Sequence, residues 1–276
     1  MRRGSWAAQA VPVPYPAVAM LVFRSLLFNV AFYVNLIAWL LAILPTLVMP
    51  RKAIIRVAQT WARSNLWLMR VIVGTKVEFR GRERIPPGGL LVAAKHQSFW
   101  ETFALATLFD DPVFILKREL IWIPFFGWYL WKAGMVPVNR KAGSLALVEM
   151  NRRAREEVGR GRQILIFPEG TRRPPGAEPA YKFGIAHLYT TLGVPCLPVA
   201  LNSGLFWPRR RFIRRPGTIV VEFLEPLAPG LPRAQFFKMV EDRIEAASQR
   251  LLAEGQAQLS ATPGEAAVSA SDRSSA

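Results

Sequence analysis

Cysteine and histidine are almost missing from this 276-residue chain. Cys196 stands alone, which excludes an internal disulfide framework. It lies in an apolar run, Val194-Pro195-Cys196-Leu197-Pro198-Val199, and reads as a buried structural thiol. No Cys-x-x-Cys and no His-Glu-x-x-His occurs, so no metal ligand set is offered. There is no Gly-x-Ser-x-Gly elbow, which disfavours a serine acyl-enzyme. No Gly-x-x-x-x-Gly-Lys-Ser/Thr loop and no Gly-x-Gly-x-x-Gly turn is present, so a nucleotide's phosphates lack a cradle. Acidic residues are scarce as well: 19 Asp and Glu stand against 36 Lys and Arg, a formal charge of +17. That excess calls for an anionic partner, whether nucleic acid, lipid headgroups or a phosphorylated substrate.

Apolar residues, by contrast, are plentiful. They make up 51% of the chain, and the mean hydropathy is +0.19. One hydrophobic segment attached to a globular domain accounts for that balance. Residues 25–50 carry no formal charge, and about 20 apolar helical residues suffice to cross a bilayer. Asn29, Asn35 and Pro45 interrupt the stretch and are compatible with a bend or a re-entrant path. A cleaved signal peptide would be shorter and closer to the start. Residues 53–73 mix Ile54, Ile55, Trp61 and Trp67 with Arg56, Arg63 and Arg70. They read either as a helix lying in the membrane interface or as an amphipathic helix packed on the domain. Positive charge just after the apolar stretch, at Arg51, Lys52, Arg56, Arg63 and Arg70, places the downstream domain in the cytoplasm, on the inner membrane if the source is bacterial.

From residue 76 the pattern alternates. Strands are expected at 77–80, 88–94, 113–116, 134–138, 163–167, 196–201 and 218–223, and helices at 98–109, 145–159, 183–192 and 234–253. This spacing predicts an α/β fold with a mixed, largely parallel sheet flanked by helices, behind an N-terminal membrane-embedded helical segment. The chain divides into an anchoring segment (1–75), one domain with a C-terminal helix (76–253), and a tail (254–276) whose Ala, Ser, Gly and Gln content predicts disorder.

Chemistry concentrates where strands end. Lys95-His96-Gln97-Ser98-Phe99-Trp100-Glu101 follows the second strand, so His96 sits at the carboxyl edge of the sheet, where open α/β sheets bind ligands. Ser98-x-x-Glu101 has the form of a capping box. The same carboxylate can also hold one imidazole nitrogen and leave the other free as a base. Phe167-Pro168-Glu169-Gly170-Thr171-Arg172 ends another buried strand in a turn with a carboxylate and an arginine. Glycine permits close backbone approach, and Arg172 offers a planar fork for phosphate. Lys117, Arg118 and Arg140 follow two further strands, so cations gather at one edge. A base with an orienting acid beside an anion site suits proton abstraction from a hydroxyl of a phosphorylated substrate. His187 sits in an apolar helical pattern and reads as a core or surface residue. The basic run Arg209-Arg210-Arg211-Phe212-Ile213-Arg214-Arg215 follows Leu205-Phe206-Trp207-Pro208, an aromatic setting that favours anionic lipid over nucleic acid.

These motifs together resemble the 1-acyl-sn-glycerol-3-phosphate acyltransferases of the glycerolipid acyltransferase family. The family's His-x-x-x-x-Asp motif is matched from His96 to Glu101, with glutamate in place of aspartate. Its second motif is matched from Gly134 to Arg140, its Phe-Pro-Glu-Gly-Thr-Arg motif in full from Phe167 to Arg172, and its proline-containing apolar strand from Val194 to Val199. The resemblance covers roughly residues 77–223. It implies a membrane enzyme facing the cytoplasm that moves an acyl group onto the sn-2 hydroxyl of lysophosphatidic acid, giving phosphatidic acid for phospholipid synthesis. It implies His96 and Glu101 as the catalytic pair, and Arg140, Glu169, Gly170, Thr171 and Arg172 as the acceptor's phosphate site. Acyl-CoA or acyl-carrier protein is then the co-substrate, no cofactor or metal is needed, and anionic membrane lipids are partners while nucleic acid is not. Acylation of another lyso-lipid, such as lyso-ornithine lipid, and a non-catalytic anionic-lipid-binding protein are the alternatives.

Overall fold

The structure is a computed structural model that describes residues 15–139 and 143–261. Helix α1 (Tyr15–Ala42) turns through a short 3-10 helix (Leu44–Leu47) into α2 (Arg51–Leu68), which continues as one π-helical stretch, Met69–Val73. The elements β1 (Thr75–Arg80), β2 (Leu90–Ala94), α3 (Trp100–Ala104), β3 (Pro112–Lys117), α4 (Phe126–Lys132) and β4 (Val136–Val138) follow. Then come α5 (Gly143–Gly159), β5 (Gln163–Ile166), α6 (Gly184–Leu192), β6 (Cys196–Leu201), α7 (Ser203–Phe206), β7 (Gly217–Phe223) and α8 (Arg233–Ala261).

The strands form one seven-stranded sheet in the order β1-β7-β6-β2-β5-β3-β4. Pairing is parallel except between β6 and β7, which makes the sheet mixed, as expected. β2 is central, with Leu90 opposite Gln163 of β5 and Leu91 opposite Cys196 of β6. Its five residues are all buried, and their side chains alternate between two apolar layers. Leu90, Val92 and Ala94 meet Phe28 and Phe32 of α1 and Trp100 and Phe103 of α3. Leu91 and Ala93 meet α5, α6 and α8 through Met150, Leu188 and Val240. A strand covered on both faces must be apolar throughout, which is why it reads as an uninterrupted hydrophobic run.

The N-terminal hairpin departs from expectation in its boundaries and its packing. α1 begins ten residues before Ser25, includes Arg24, and ends at Ala42. The stretch Ala17–Ala42 is long and apolar enough to cross a membrane. One face of it nevertheless lies on the domain. Arg214 N donates to Ser25 Oγ at 2.9 Å, Asn29 Nδ2 donates to Phe212 O at 3.1 Å, and Asn35 Nδ2 donates to Ser64 Oγ at 2.8 Å. The asparagines that interrupt the apolar run are therefore its contacts with the protein. Residues 53–73 take the packed amphipathic form: Ile54, Ile55, Ala62, Met69 and Val73 are buried, while Arg56, Arg63 and Arg70 face outward.

The C-terminal helix also extends past its expected end at residue 253. Arg80 holds Glu254 at 2.8 Å, Gln258 accepts from Thr218 N at 3.0 Å, and Gly255 lies so close to α7 that an added Cβ would meet Leu205 at 2.5 Å. These contacts carry α8 to Ala261, so residues 254–261 are ordered helix; residues 262–276 of the expected tail lie outside the described residues.

Arg162 joins the hairpin to the sheet. It is 1% exposed and reaches Asp111 (3.0 Å), Glu157 (2.5 Å) and the carbonyl of Ala133 (2.9 Å), while Asp111 also takes both Nη atoms of Arg51 at 2.5 Å. Removing one member of a buried ion-pair network costs about 3–5 kcal/mol because the others stay desolvated. Arg162→Ala should lower stability by that amount in urea unfolding, whereas Arg152→Ala, on the exposed face of α5, should leave the midpoint nearly unchanged. Equal midpoints for the two variants would contradict this assignment.

Candidate active site

The strand order places three turns side by side at one sheet edge. β2 runs between β5 and β6, all parallel, so the segment after β2 is flanked by the segments after the other two. His96 follows β2, Arg172 follows β5 and Ser203 follows β6.

His96 is 13% exposed and Glu101 is not exposed at all. His96 Nδ1 lies 2.9 Å from Glu101 Oε1. The same oxygen accepts from Gln97 N and Ser98 N, each at 2.6 Å. Ser98 Oγ in turn accepts from Trp100 N at 3.2 Å. The capping role and the imidazole-holding role of Glu101 thus coexist in one carboxylate. With the carboxylate on Nδ1, the Nδ1–H tautomer is favoured and Nε2 is left with its lone pair. Phe167 stacks on the imidazole with ring centroids 4.0 Å apart and an interplanar angle of 14°, and Phe114 stacks on Phe167 in turn. The imidazole plane is thereby fixed.

The second oxygen of Glu101 accepts from Ser203 Oγ at 2.7 Å. Beside it, Gly204 N donates to Gln97 Oε1 at 3.1 Å, and a Cβ on Gly204 would meet Pro175 at 2.7 Å and Gln97 at 2.9 Å. Neither residue is among those expected from the sequence. The signal that could find them is a Ser-Gly pair two residues past a buried strand that neighbours β2.

The turn after β5 is tight: Gly170 has φ 68° and its N–H donates to Phe167 O at 2.9 Å. Arg173 N donates to His96 O at 2.8 Å and joins this turn to the histidine segment. Thr171 is exposed. Arg172 is partly buried, and its guanidinium makes no hydrogen bond or ion pair among the described residues. Burial first, and the Arg209 guanidinium second, lower its pKa from the ordinary arginine value, while the Glu101 charge opposes them. Arg172 therefore stands within electrostatic reach of Glu101, Arg209 and Arg210. Arg209 Nη1 donates to Arg172 O at 2.7 Å. A cluster of guanidinium groups of this kind attracts an anion. Lys117 and Arg118 are exposed at the end of β3, Lys117 pairing with Glu119 at 3.5 Å. Arg140 lies outside the described residues, which stop at Asn139 before resuming at Gly143.

Glu169, which the resemblance groups with the acceptor's phosphate site, is buried behind the turn after β5. It is 2% exposed and turned inward onto Lys95 Nζ at 3.1 Å. Lys95 also pairs with Glu245 of α8 at 2.6 Å, and Tyr181 OH donates to the same Glu245 oxygen at 2.8 Å. A lysine buried just before His96 needs these anions as counter-charges, and this demand turns Glu169 inward. The basic run after α7 is likewise partly structural. Arg214 is 8% exposed, lies over the Trp207 ring at 4.6 Å and donates to Asn29 Oδ1 at 3.1 Å. Burial brings its pKa down to about 10. Cys196 is fully buried, and burial raises its pKa, in keeping with an inert thiol. Among the described residues no group of three or more His, Cys, Asp and Glu side chains is placed to hold a metal ion.

Comparison with known proteins matches the acyltransferase family model to residues 76–202. The 1-acyl-sn-glycerol-3-phosphate acyltransferase of Pseudomonas aeruginosa is 38% identical over 200 residues, which is 72% of this chain and 78% of that one. The 1-acyl-sn-glycerol-3-phosphate acyltransferase alpha of Mus musculus is 30% identical over 163 residues, 58% of this chain and 57% of its own. The crystal structure of the 1-acyl-sn-glycerophosphate (LPA) acyltransferase from Thermotoga maritima shares the fold, with a TM-score of 0.69 at 24% identity over 83% of this chain and 97% of that one.

Ser203 and Glu101 form a buried pair, so deleting the hydroxyl strands a carboxylate oxygen. Ser203→Ala should lower stability by about 1–3 kcal/mol, the cost of leaving a buried acceptor unsatisfied. Denaturant unfolding measures it, and an unchanged midpoint would show that Ser203 is not a donor to Glu101.

Proposed function

This chain belongs to the 1-acyl-sn-glycerol-3-phosphate acyltransferase family, and we propose that its site esterifies the sn-2 hydroxyl of 1-acyl-sn-glycerol-3-phosphate, giving phosphatidic acid. The observation that carries this reading is the 2.9 Å contact between His96 Nδ1 and Glu101, with the unpaired Arg172 guanidinium in reach on the neighbouring turn.

The acyl donor in this reading is a thioester, of coenzyme A or of acyl-carrier protein. His96 Nε2 takes the proton of the acceptor hydroxyl as its oxygen attacks the thioester carbonyl. The C–O bond forms, the tetrahedral intermediate collapses, and the C–S bond breaks. The imidazolium returns its proton to the departing sulfur. Glu101 orients the ring and stabilises the imidazolium in between, without itself taking a proton. Arg172, with Arg209 and Arg210 beside it, receives the glycerol phosphate, and Arg140 is a further proposed ligand to it. Gly170 and Thr171 shape the turn, and Glu169 orders the site through Lys95. The free thiol leaves, so the atoms balance without any cofactor.

The apolar helix α1 supports membrane association. From Ser25 to Leu40 its inner face bonds the domain, about 22 Å of helix at 1.5 Å per residue. A crossing of a ~30 Å hydrocarbon core along that length would carry the basic, Arg214-bearing face of the domain into lipid. We therefore lay α1 along the cytoplasmic face of the membrane, with Phe23, Val30, Val34 and Ile37 toward lipid and Lys52, Arg56 and Arg63 of α2 toward anionic headgroups.

Membranes carrying the chain, a labelled thioester and a panel of lyso-lipids test the activity. Lysophosphatidic acid should be the acceptor used; preference for an uncharged headgroup would overturn the reading. His96→Ala should lose on the order of 10²–10⁴-fold in rate at unchanged protein level, and Glu101→Gln should be severely impaired with Glu101→Asp partly active. Full turnover by folded His96→Ala would sink the base assignment. Arg172→Ala should raise KM for lysophosphatidic acid far more than for the thioester, and Arg172→Lys should rescue poorly because a point charge lacks the planar fork. A defect confined to the thioester would reassign Arg172.

A further inference from the structure

Between β3 and β4 the chain exposes an aromatic projection. Residues 120–131 hold no charged side chain, and within them Trp122 (76%), Ile123 (45%), Phe125 (49%), Phe126 (37%), Trp128 (54%) and Trp131 (77%) are open to solvent. The projection is tightly folded at its turn. Gly127 sits so close to the preceding 3-10 turn (Arg118–Trp122) that a Cβ there would lie 1.8 Å from Ile121 O. Phe125 is held at a positive φ of 61°, a conformation that a bulky residue keeps only when its surroundings impose it. The inner face of α4 packs on the end of the N-terminal hairpin: Tyr129 and Ala133 join Ile43, Ile54 and Ile55, and Tyr129 OH donates to Leu40 O at 2.6 Å. The outer face is thus ordered in an exposed, apolar form.

We propose that this projection inserts into the interfacial layer of the membrane as a second contact beside α1. The proposal rests on the reading that the enzyme works at a membrane. Three observations choose lipid as the occupant. The projection is bonded to Leu40, and α1's exposed apolar face runs to Leu41 next to it, with Val48 and Met49 exposed in the following turn, so the apolar surface is continuous. Its composition is that of a bilayer interface, with tryptophans and phenylalanines flanked by the cations Lys117, Arg118 and Lys132 against one acid, Glu119, which pairs with Lys117 at 3.5 Å. The chain's charge of +17 repels a second copy and attracts anionic lipid. Because β3 ends at the edge that carries His96, the start of the projection lies at the site's edge, and α4 then runs back toward the opposite edge, where Ala133 O accepts from Arg162.

Cysteine labelling of the full chain in vesicles of phosphatidylcholine and phosphatidylglycerol tests this. Cys196 is fully buried, so the native protein supplies an unlabelled control. A polarity-sensitive fluorophore is placed by Trp122→Cys, Trp131→Cys, Val34→Cys on the outer face of α1, and Lys238→Cys on α8 in the opposite layer. Brominated lipid should quench the label at 34, 122 and 131 and leave that at 238 unaffected. Quenching at 34 alone, with 122 and 131 still open to aqueous iodide, overturns the proposal and leaves the membrane reading standing. Quenching at none of them overturns both. Changes at 122 and 131 that follow protein concentration without vesicles would assign the patch to a second copy instead. As an independent arm, the triple variant Trp122→Ser, Trp128→Ser, Trp131→Ser should keep its unfolding midpoint and bind vesicles about tenfold more weakly or worse; undiminished binding overturns the proposal.

Discussion

One buried negative charge organises the site. Glu101 has no solvent exposure, and a carboxylate left unpaired at such a place costs several kcal/mol or takes up a proton. Both of its oxygens are occupied instead. One accepts from His96, Gln97 N and Ser98 N, and the other from Ser203. The demand for donors fixes the tight path after β2, the entry into α3, and the meeting of the β2 and β6 segments. The side chain reaches from the first turn of α3 back to the two preceding amides, a reach that accommodates glutamate where the family's commoner residue is aspartate. The imidazole is one of four donors to a charge that is held in place independently of it.

Much of this is legible in the sequence, because the central strands are buried on both faces and read as bare apolar runs. Strand β6 matches its expected bounds, Cys196–Leu201, and β2 and β5 differ from theirs only at the ends. The pairing of His96 with Glu101 is legible through local spacing. What escapes a linear reading is long-range. Ser203 lies 102 positions from Glu101, and only the sheet order brings them together. The partners of Glu169 are not visible in its own motif: it is drawn inward by Lys95, which α8 also holds through Glu245. Helix α4 is hidden because its exposed face is as apolar as its buried one, so it lacks the amphipathic contrast that marks a surface helix. The end of α8 is missed because Glu254 and Gln258, polar residues in a polar stretch, find partners on β1 and β7.

The positive charge has three distinct uses. Arg162 and Arg214 are buried in structural networks, one tying the hairpin to the sheet and the other tying α1 to the segment after α7. Arg172 is held partly desolvated beside other arginines, an arrangement that favours an anion. Lys52, Arg56 and Arg63 of α2 face outward, toward whatever surface the hairpin meets, while Arg51 is held by Asp111. Reading +17 as a single property would merge these roles; burial separates them.

The central claim is that Glu101 holds His96 with Nε2 free to accept a proton, and nitrogen NMR of the imidazole tests it most directly. With two histidines in the chain, His187→Gln leaves His96 as the sole imidazole to observe. The account predicts that neutral His96 is protonated at Nδ1 and unprotonated at Nε2, and that this preference is lost in Glu101→Gln. A neutral imidazole carrying its proton on Nε2 in the intact site would contradict it.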